Sequence, residues 1–114
     1  MSISRRPKRA AELIRSELGY VLRVSVEDEI LQKVSITNVD MAGDMRTARI
    51  QVICEGVKAA DVLNRLNAAR GYFRKIMGEK LELRWVPDLK FELDEHVSKV
   101  DNLLRLIDEV RDHQ

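Results

Sequence analysis

Residues 59–78, Ala59-Ala60-Asp61-Val62-Leu63-Asn64-Arg65-Leu66-Asn67-Ala68-Ala69-Arg70-Gly71-Tyr72-Phe73-Arg74-Lys75-Ile76-Met77-Gly78, carry the pattern on which the fold turns. Ala59, Val62, Leu63 and Leu66 recur at helical spacing, and Phe73, Ile76 and Met77 resume that spacing after the small-residue run Ala68-Ala69-Arg70-Gly71. Gly71 stands in the middle of the pattern, where a glycine costs about 1 kcal/mol relative to alanine. Either one long helix tolerates it or two helices meet there at a kink, and the kink is the preferred reading. On a helical wheel Phe73, Ile76 and Met77 point one way, and Arg70, Arg74 and Lys75 point roughly the other.

Working outward toward the N-terminus, the period changes to two. Ala48, Ile50 and Val52 alternate with Arg49 and Gln51, and Val34 and Ile36 alternate with Ser35 and Thr37. Val39 and Met41 follow one step out of phase, which predicts a β-bulge near Asn38. Ala42-Gly43-Asp44 supplies the turn, so the two runs predict a hairpin with one buried face. Before it, Glu27-Asp28-Glu29 reads as a solvated acidic connector. Ala10, Ile14, Leu18 and Val21 form an apolar stripe over about Lys8 to Val24, which predicts an amphipathic helix. Pro7 suits its first position, where the missing N–H would have no acceptor, and Ser4 is a candidate cap.

Outward in the other direction, Leu89-Lys90-Phe91-Glu92-Leu93-Asp94 alternates cleanly and predicts a third strand, entered through Pro87. Val97, Val100, Leu104 and Ile107 then predict a final acidic helix over about 96–111. The order α-β-β-α-α-β-α, within 114 residues, predicts one α+β domain spanning 1–114 with its core over about 5–95. Three strands with helices on one face make a two-layer sandwich.

Composition excludes several classes of protein. Hydrophobic residues at 45% with aromatics at only 4% mean an aliphatic core. No apolar run approaches the roughly 18 residues of a membrane span, and the basic start lacks the apolar stretch of a secretory signal. The single cysteine, Cys54, allows no internal disulfide and fits a reducing, cytoplasmic setting. The formal net charge of +1 conceals an uneven distribution. Segments 1–24 and 65–90 each carry a surplus of four positive charges, whereas 25–64 has a deficit of three and 91–114 a deficit of four. Folding that joined the two basic segments would give a one-signed patch.

The parts of an enzyme are missing. His96 and His113 have no metal-ligand companion at usual spacing, and Cys54 at the end of an apolar strand reads as an inert thiol. No Walker loop or dinucleotide glycine fingerprint occurs, so neither cofactor nor metal is expected. Arginine-rich segments favour phosphate contact, but Tyr20, Tyr72, Phe73, Trp85 and Phe91 are all the aromatics available, so base reading should be slight. Composition and charge alone leave RNA binding and a protein–protein adaptor evenly matched.

The order α-β-β-α-α-β is that of the type II KH domain, which clamps nucleotides with a GXXG loop between its middle helices. Here no GXXG occurs, and the equivalent junction is Ala69-Arg70-Gly71. In this the chain resembles the bacterial ribosome-binding factor A family, whose KH-like domain has an Ala-x-Gly helix kink in place of the clamp. Four further segments share the resemblance, which spans about residues 5–105. They are Arg6-Pro7-Lys8-Arg9 with Glu12-Leu13-Ile14-Arg15-Ser16-Glu17-Leu18, Val34-Ser35-Ile36-Thr37-Asn38-Val39, Tyr72-Phe73-Arg74 and Arg84-Trp85-Val86-Pro87-Asp88-Leu89-Lys90-Phe91. Asp28-Glu29-Ile30 departs from the family's Asp-Pro-Arg, and His96 stands where a small polar residue is usual.

The resemblance implies a non-catalytic assembly factor, monomeric and cytoplasmic. Its partners would be the immature 30S ribosomal subunit and 16S rRNA, whose 5′-end processing and folding it would assist late in maturation. The candidate RNA-binding residues are Arg5, Arg6, Lys8, Arg9, Arg70, Arg74, Lys75, Lys80 and Arg84, acting by phosphate neutralisation. Ala69 and Gly71 would shape the kink that aims Arg70 and Arg74. The acidic C-terminal segment would face away from the RNA.

Overall fold

The computed structural model describes residues 2–81 and 86–95, which form α1 (Ser2–Tyr20), a π-helical turn (Val21–Ser25), α2 (Glu29–Gln32), β1 (Ser35–Met41), β2 (Thr47–Ile53), α3 (Ala59–Ala68), α4 (Arg70–Lys80) and β3 (Asp88–Leu93). The expected C-terminal helix over 96–111 lies outside the described residues. The strands make one sheet in the order β1-β2-β3, with β1 antiparallel to β2 and β2 parallel to β3. A parallel neighbour requires a crossover, and α3 and α4 are that crossover. This is the predicted α+β sandwich.

Alternation decides which sheet face the helices cover. Ala48, Ile50 and Val52 of β2 and Leu89 and Phe91 of β3 are buried, while Arg49 and Lys90 between them face out. Onto that buried face α1 lays Ala10, Ile14 and Leu18, α3 lays Val62 and Leu66, and α4 lays Phe73 and Met77. The Phe73 and Phe91 rings meet edge to face with centroids 5.9 Å apart. On the opposite face, Arg49 Nη2 donates to Glu92 Oε1 at 2.8 Å across the β2–β3 pair.

The predicted bulge falls at Thr37, where the β1–β2 register shifts between Ile36 and Asn38. Thr37 Oγ1 donates to the Gln51 carbonyl at 3.2 Å. The hairpin closes over residues 43–46, beyond the Ala42-Gly43-Asp44 turn that the sequence suggests. Ala42 N–H donates to the Thr47 carbonyl at 3.0 Å, and the residue with left-handed backbone is Met45 (φ 61°), not Gly43. Arg46 N–H donates to Asp44 Oδ1 at 3.0 Å and holds this conformation.

Two local expectations need correction. Pro7 lies inside α1 rather than at its first position, because the helix begins at Ser2. A proline there forgoes the bond to the carbonyl four residues back, and the apolar stripe further along holds the helix instead. The acidic connector is also structured. Asp28 caps α2, its Oδ1 accepting from Ile30 N–H at 2.9 Å and Leu31 N–H at 3.4 Å. Capping rather than solvation explains the carboxylate at that position.

Candidate nucleic-acid interface

The middle helices meet at Ala69, not at Gly71. Ala69 sits between them at φ −90° and ψ 1°, and the hydrogen bonding runs on through it. Its N–H donates to the Arg65 carbonyl at 3.1 Å, and its own carbonyl accepts from Phe73 N–H at 3.0 Å. Gly71 lies one residue inside α4 and is exposed. A Cβ placed on it would meet nothing within 4 Å. No neighbour within the described chain therefore requires a glycine there.

The junction is anchored from below by Arg65. Its Nη1 donates to Asp28 Oδ2 at 2.8 Å, and its Nε donates to Asp61 Oδ1 at 3.2 Å one helical turn back. The Arg65 guanidinium, with the Ile30 and Leu31 amides, draws the Asp28 carboxyl below its ordinary value against the opposing effect of desolvation. Nothing in the residue pattern singled out Arg65, since the Asp28 carboxylate that it meets lies 37 positions away in sequence.

Helix α4 runs back along α1. Near its start, Tyr72 Oη donates to the Ser25 carbonyl at 3.4 Å. At its end, Lys80 Nζ lies 3.8 Å from Glu17 Oε1 and 5.8 Å from the centroid of the Tyr20 ring. Sixteen residues separate Arg9 from Ser25, roughly 24 Å at a helical rise of 1.5 Å per residue. The candidate cations therefore form two groups. Arg6, Lys8 and Arg9 project beyond the Lys80 end of α4, and Arg70 stands at the opposite end beside the junction.

These side chains are not equivalent. Arg6, Lys8, Arg9, Arg70 and Lys75 are exposed and have no ion-pair partner among the described residues. Arg74 is engaged: its Nη2 donates to the Val86 carbonyl at 3.2 Å and lies 3.7 Å from Asp88 Oδ1. That contact draws it toward β3, so Arg70 and Arg74 are not equivalently placed. The Arg5 side chain and the whole of Arg84 lie outside the described residues.

Cys54 is half-buried with its Sγ 3.9 Å from the Ile30 carbonyl, and desolvation pushes its pKa up. A thiol so placed is a poor nucleophile. Among the described residues, no group of three His, Cys, Asp or Glu side chains could hold a metal ion. No helix among them is long and apolar enough to cross a membrane. The feature that stands out among the described residues is a helix layer with exposed cations and the sheet behind it.

Comparison with known proteins gives that layer a context. A curated ribosome-binding factor A from Synechococcus sp. (strain CC9902) is 35% identical over 118 residues, covering 100% of this chain and 88% of the relative. The crystal structure of ribosome-binding factor A from Thermus thermophilus superposes with a TM-score of 0.71 at 16% identity, covering 76% of this chain and 93% of that one. A Thermus thermophilus ribosome binding factor A homology model, as fitted into the cryo-EM map of a complex with 30S, superposes with a TM-score of 0.62 at 17% identity, covering 72% of this chain and 88% of that one. The sequence profile of the ribosome-binding factor A family matches residues 6–107. By profile and by identity along its whole length, this chain belongs to the ribosome-binding factor A family.

Proposed function

We propose that this protein binds the small ribosomal subunit and its 16S rRNA during late maturation, assisting folding and processing at the 5′ end without performing chemistry itself. It acts as a monomer in the cytoplasm, as one domain over residues 1–114. The observation that carries this reading is family membership along the whole chain, together with the Thermus relative fitted into a complex with 30S. The exposed cations support it: Arg6, Lys8 and Arg9 at one end of the helix layer and Arg70 and Lys75 on α4 are free to neutralise phosphates. Arg5 and Arg84 belong with the same set by sequence, and Arg74 and Lys80 serve it from positions also tied to neighbours. Ala69 sets the direction in which α4 presents Arg70, and Gly71 keeps the adjacent surface low.

Co-sedimentation with purified mature and immature small subunits across a salt series tests the proposal. Association that prefers the immature particle and weakens steeply with salt is expected, because each phosphate contact releases counterions. A folded protein that fails to pellet with either particle at low salt overturns it and leaves a protein–protein adaptor on the same fold.

A further inference from the structure

Among the described residues, the large hydrophobic side chains left exposed are Leu13 (43%), Tyr20 (46%), Val24 (61%) and Tyr72 (45%). They are not scattered. Leu13, Tyr20 and Val24 fall at steps of seven and four along α1 and the π-helical turn, which is one stripe of a helix. Tyr72 faces the end of that stripe from α4, where its hydroxyl donates to the Ser25 carbonyl. Tyr20 and Tyr72 therefore border the seam along which α4 packs back on α1, and Leu13 continues the stripe one turn before Glu17.

Two of the four are aromatic, and both rings are held in place from one side only. Lys80 Nζ lies 5.8 Å from the centroid of the Tyr20 ring. Tyr72 is fixed at its hydroxyl by Ser25 and abuts the Phe73 ring, with centroids 6.1 Å apart. Neither tyrosine is held in the core, and each makes one contact that orients its ring. Tyr72 also forms part of the wall of an open cleft of about 530 Å³, bounded by Ser25, Glu27, Asp28, Arg65 and Ala69, in which the Asp28 carboxylate is paired with Arg65. The end of the stripe that carries Val24 is a π-helical turn, a geometry that recurs at functional sites.

Charge identifies the occupant. Arg6 and Arg9 lie on the same α1 stripe as Leu13, two turns and one turn before it. Arg23 and Arg70 are exposed near the other end of the seam. Glu17 interrupts the strip between Leu13 and Tyr20, with Lys80 Nζ 3.8 Å from it, and guanidinium groups stand beyond both ends, an arrangement that suits a chain alternating flat apolar rings with anions. We infer that Tyr20 and Tyr72 are stacking platforms for unpaired nucleotides of an RNA strand lying along the α1–α4 seam, with the flanking arginines on its phosphates. This rests on the proposed RNA-binding function and deepens it: the RNA met here is single-stranded, and its bases as well as its backbone are touched.

The test measures binding of a labelled oligouridylate and of a blunt-ended RNA duplex to the full chain. Wild type is compared with Tyr20→Leu, Tyr72→Leu, the double variant, and Tyr20→Phe and Tyr72→Phe, each checked for folding by circular dichroism. Each leucine variant should lose roughly tenfold in oligouridylate affinity, the range of one lost base–aromatic stack. Tyr20→Phe should bind nearly as wild type because the ring face remains, Tyr72→Phe should lose less than Tyr72→Leu because only the hydroxyl anchor is gone, and duplex binding should not change. Should the double variant fail to fold, photo-cross-linking of a 4-thiouridine oligomer to wild type reads the same contact, with the label expected on peptides holding Tyr20 or Tyr72. Leucine variants with unchanged oligouridylate affinity, or cross-links confined to other peptides, overturn the inference. Variants that bind oligouridylate normally but pellet poorly with small subunits overturn it in favour of a protein occupant. A wild type that pellets with subunits but ignores oligouridylate sinks the stacking inference alone, whereas one that binds neither sinks the proposed function as well.

Discussion

Arg65 Nη1 lies 2.8 Å from Asp28 Oδ2, a contact that ties the middle of the crossover to the cap of α2. One carboxylate thus holds a helix start with one oxygen and a guanidinium with the other. The pair spans two elements that share no sheet strand, so it fixes the α3–α4 junction relative to the segment that follows α1. Its contribution lies in position more than in stability, since surface ion pairs contribute little on average.

Asp28→Asn should lower the melting temperature at neutral pH. Because the folded-state pKa is depressed, the wild-type advantage is fully present above about pH 4, the ordinary carboxylate range. It is lost as pH falls through the lower folded value. Thermal melts of the two proteins across pH should converge at the acidic end. Parallel curves down to the lowest pH would show that the Asp28 charge does not matter.

Arg70→Ala and Arg74→Ala should separate. Arg70 has no ion partner among the described residues, so its loss should leave the melt unchanged, weaken subunit binding, and reduce the salt slope by about one counterion. Arg74→Ala removes the bond to the Val86 carbonyl and should shift the melt downward as well. Equal effects of both substitutions on melting and on binding would refute this division.

Gly71→Ala should stabilise the protein by up to about 1 kcal/mol, because a Cβ there meets nothing and alanine is the better helix former. The same substitution should weaken association with small subunits, since it raises the surface beside Arg70. Chemical denaturation and co-sedimentation read the two effects independently. A more stable variant that binds as well as wild type would remove Gly71 from the interface.

Gly56→Ala should do the opposite to stability. Gly56 follows β2 with φ at +77°, in open space, so the added methyl clashes only with its own backbone. A left-handed conformation costs a non-glycine residue about 1–2 kcal/mol. Denaturation midpoints should fall accordingly while subunit binding by the folded protein is kept.

The strands and the core were legible because alternation and helical spacing are properties of neighbours in the chain. Val39, Ile50, Phe73 and Leu89 could be assigned to the interior on that ground, and each is buried. The bulge at Thr37 was legible for the same reason. What could not be read depends on geometry between distant residues. Residue type marked Gly71, and the family resemblance Ala69-Arg70-Gly71, as the helix junction, and only the backbone conformation singles out Ala69 within it. Arg65 was invisible because Asp28 meets it only after folding, and Arg70 and Arg74 look alike until Val86 claims one of them. Aromatic scarcity suggested that few rings were free, whereas Tyr20 and Tyr72 are both exposed.

The parallel pairing of β2 with β3 has a kinetic consequence. Residues 54–87 must be closed into a loop before Leu89 and Phe91 can reach Ala48 and Ile50, whereas the hairpin partners are separated by a short turn. Closing the longer loop carries the larger entropic cost, and non-local contacts of this kind slow folding. Helix α4 rests on β3, so the face that carries Arg70, Gly71 and Tyr72 takes its final direction only when that edge strand docks. A weakening of β3, which reaches Tyr72 only through Phe91 and Phe73, would then surface as slow acquisition of binding after refolding, before any loss of helix content was visible.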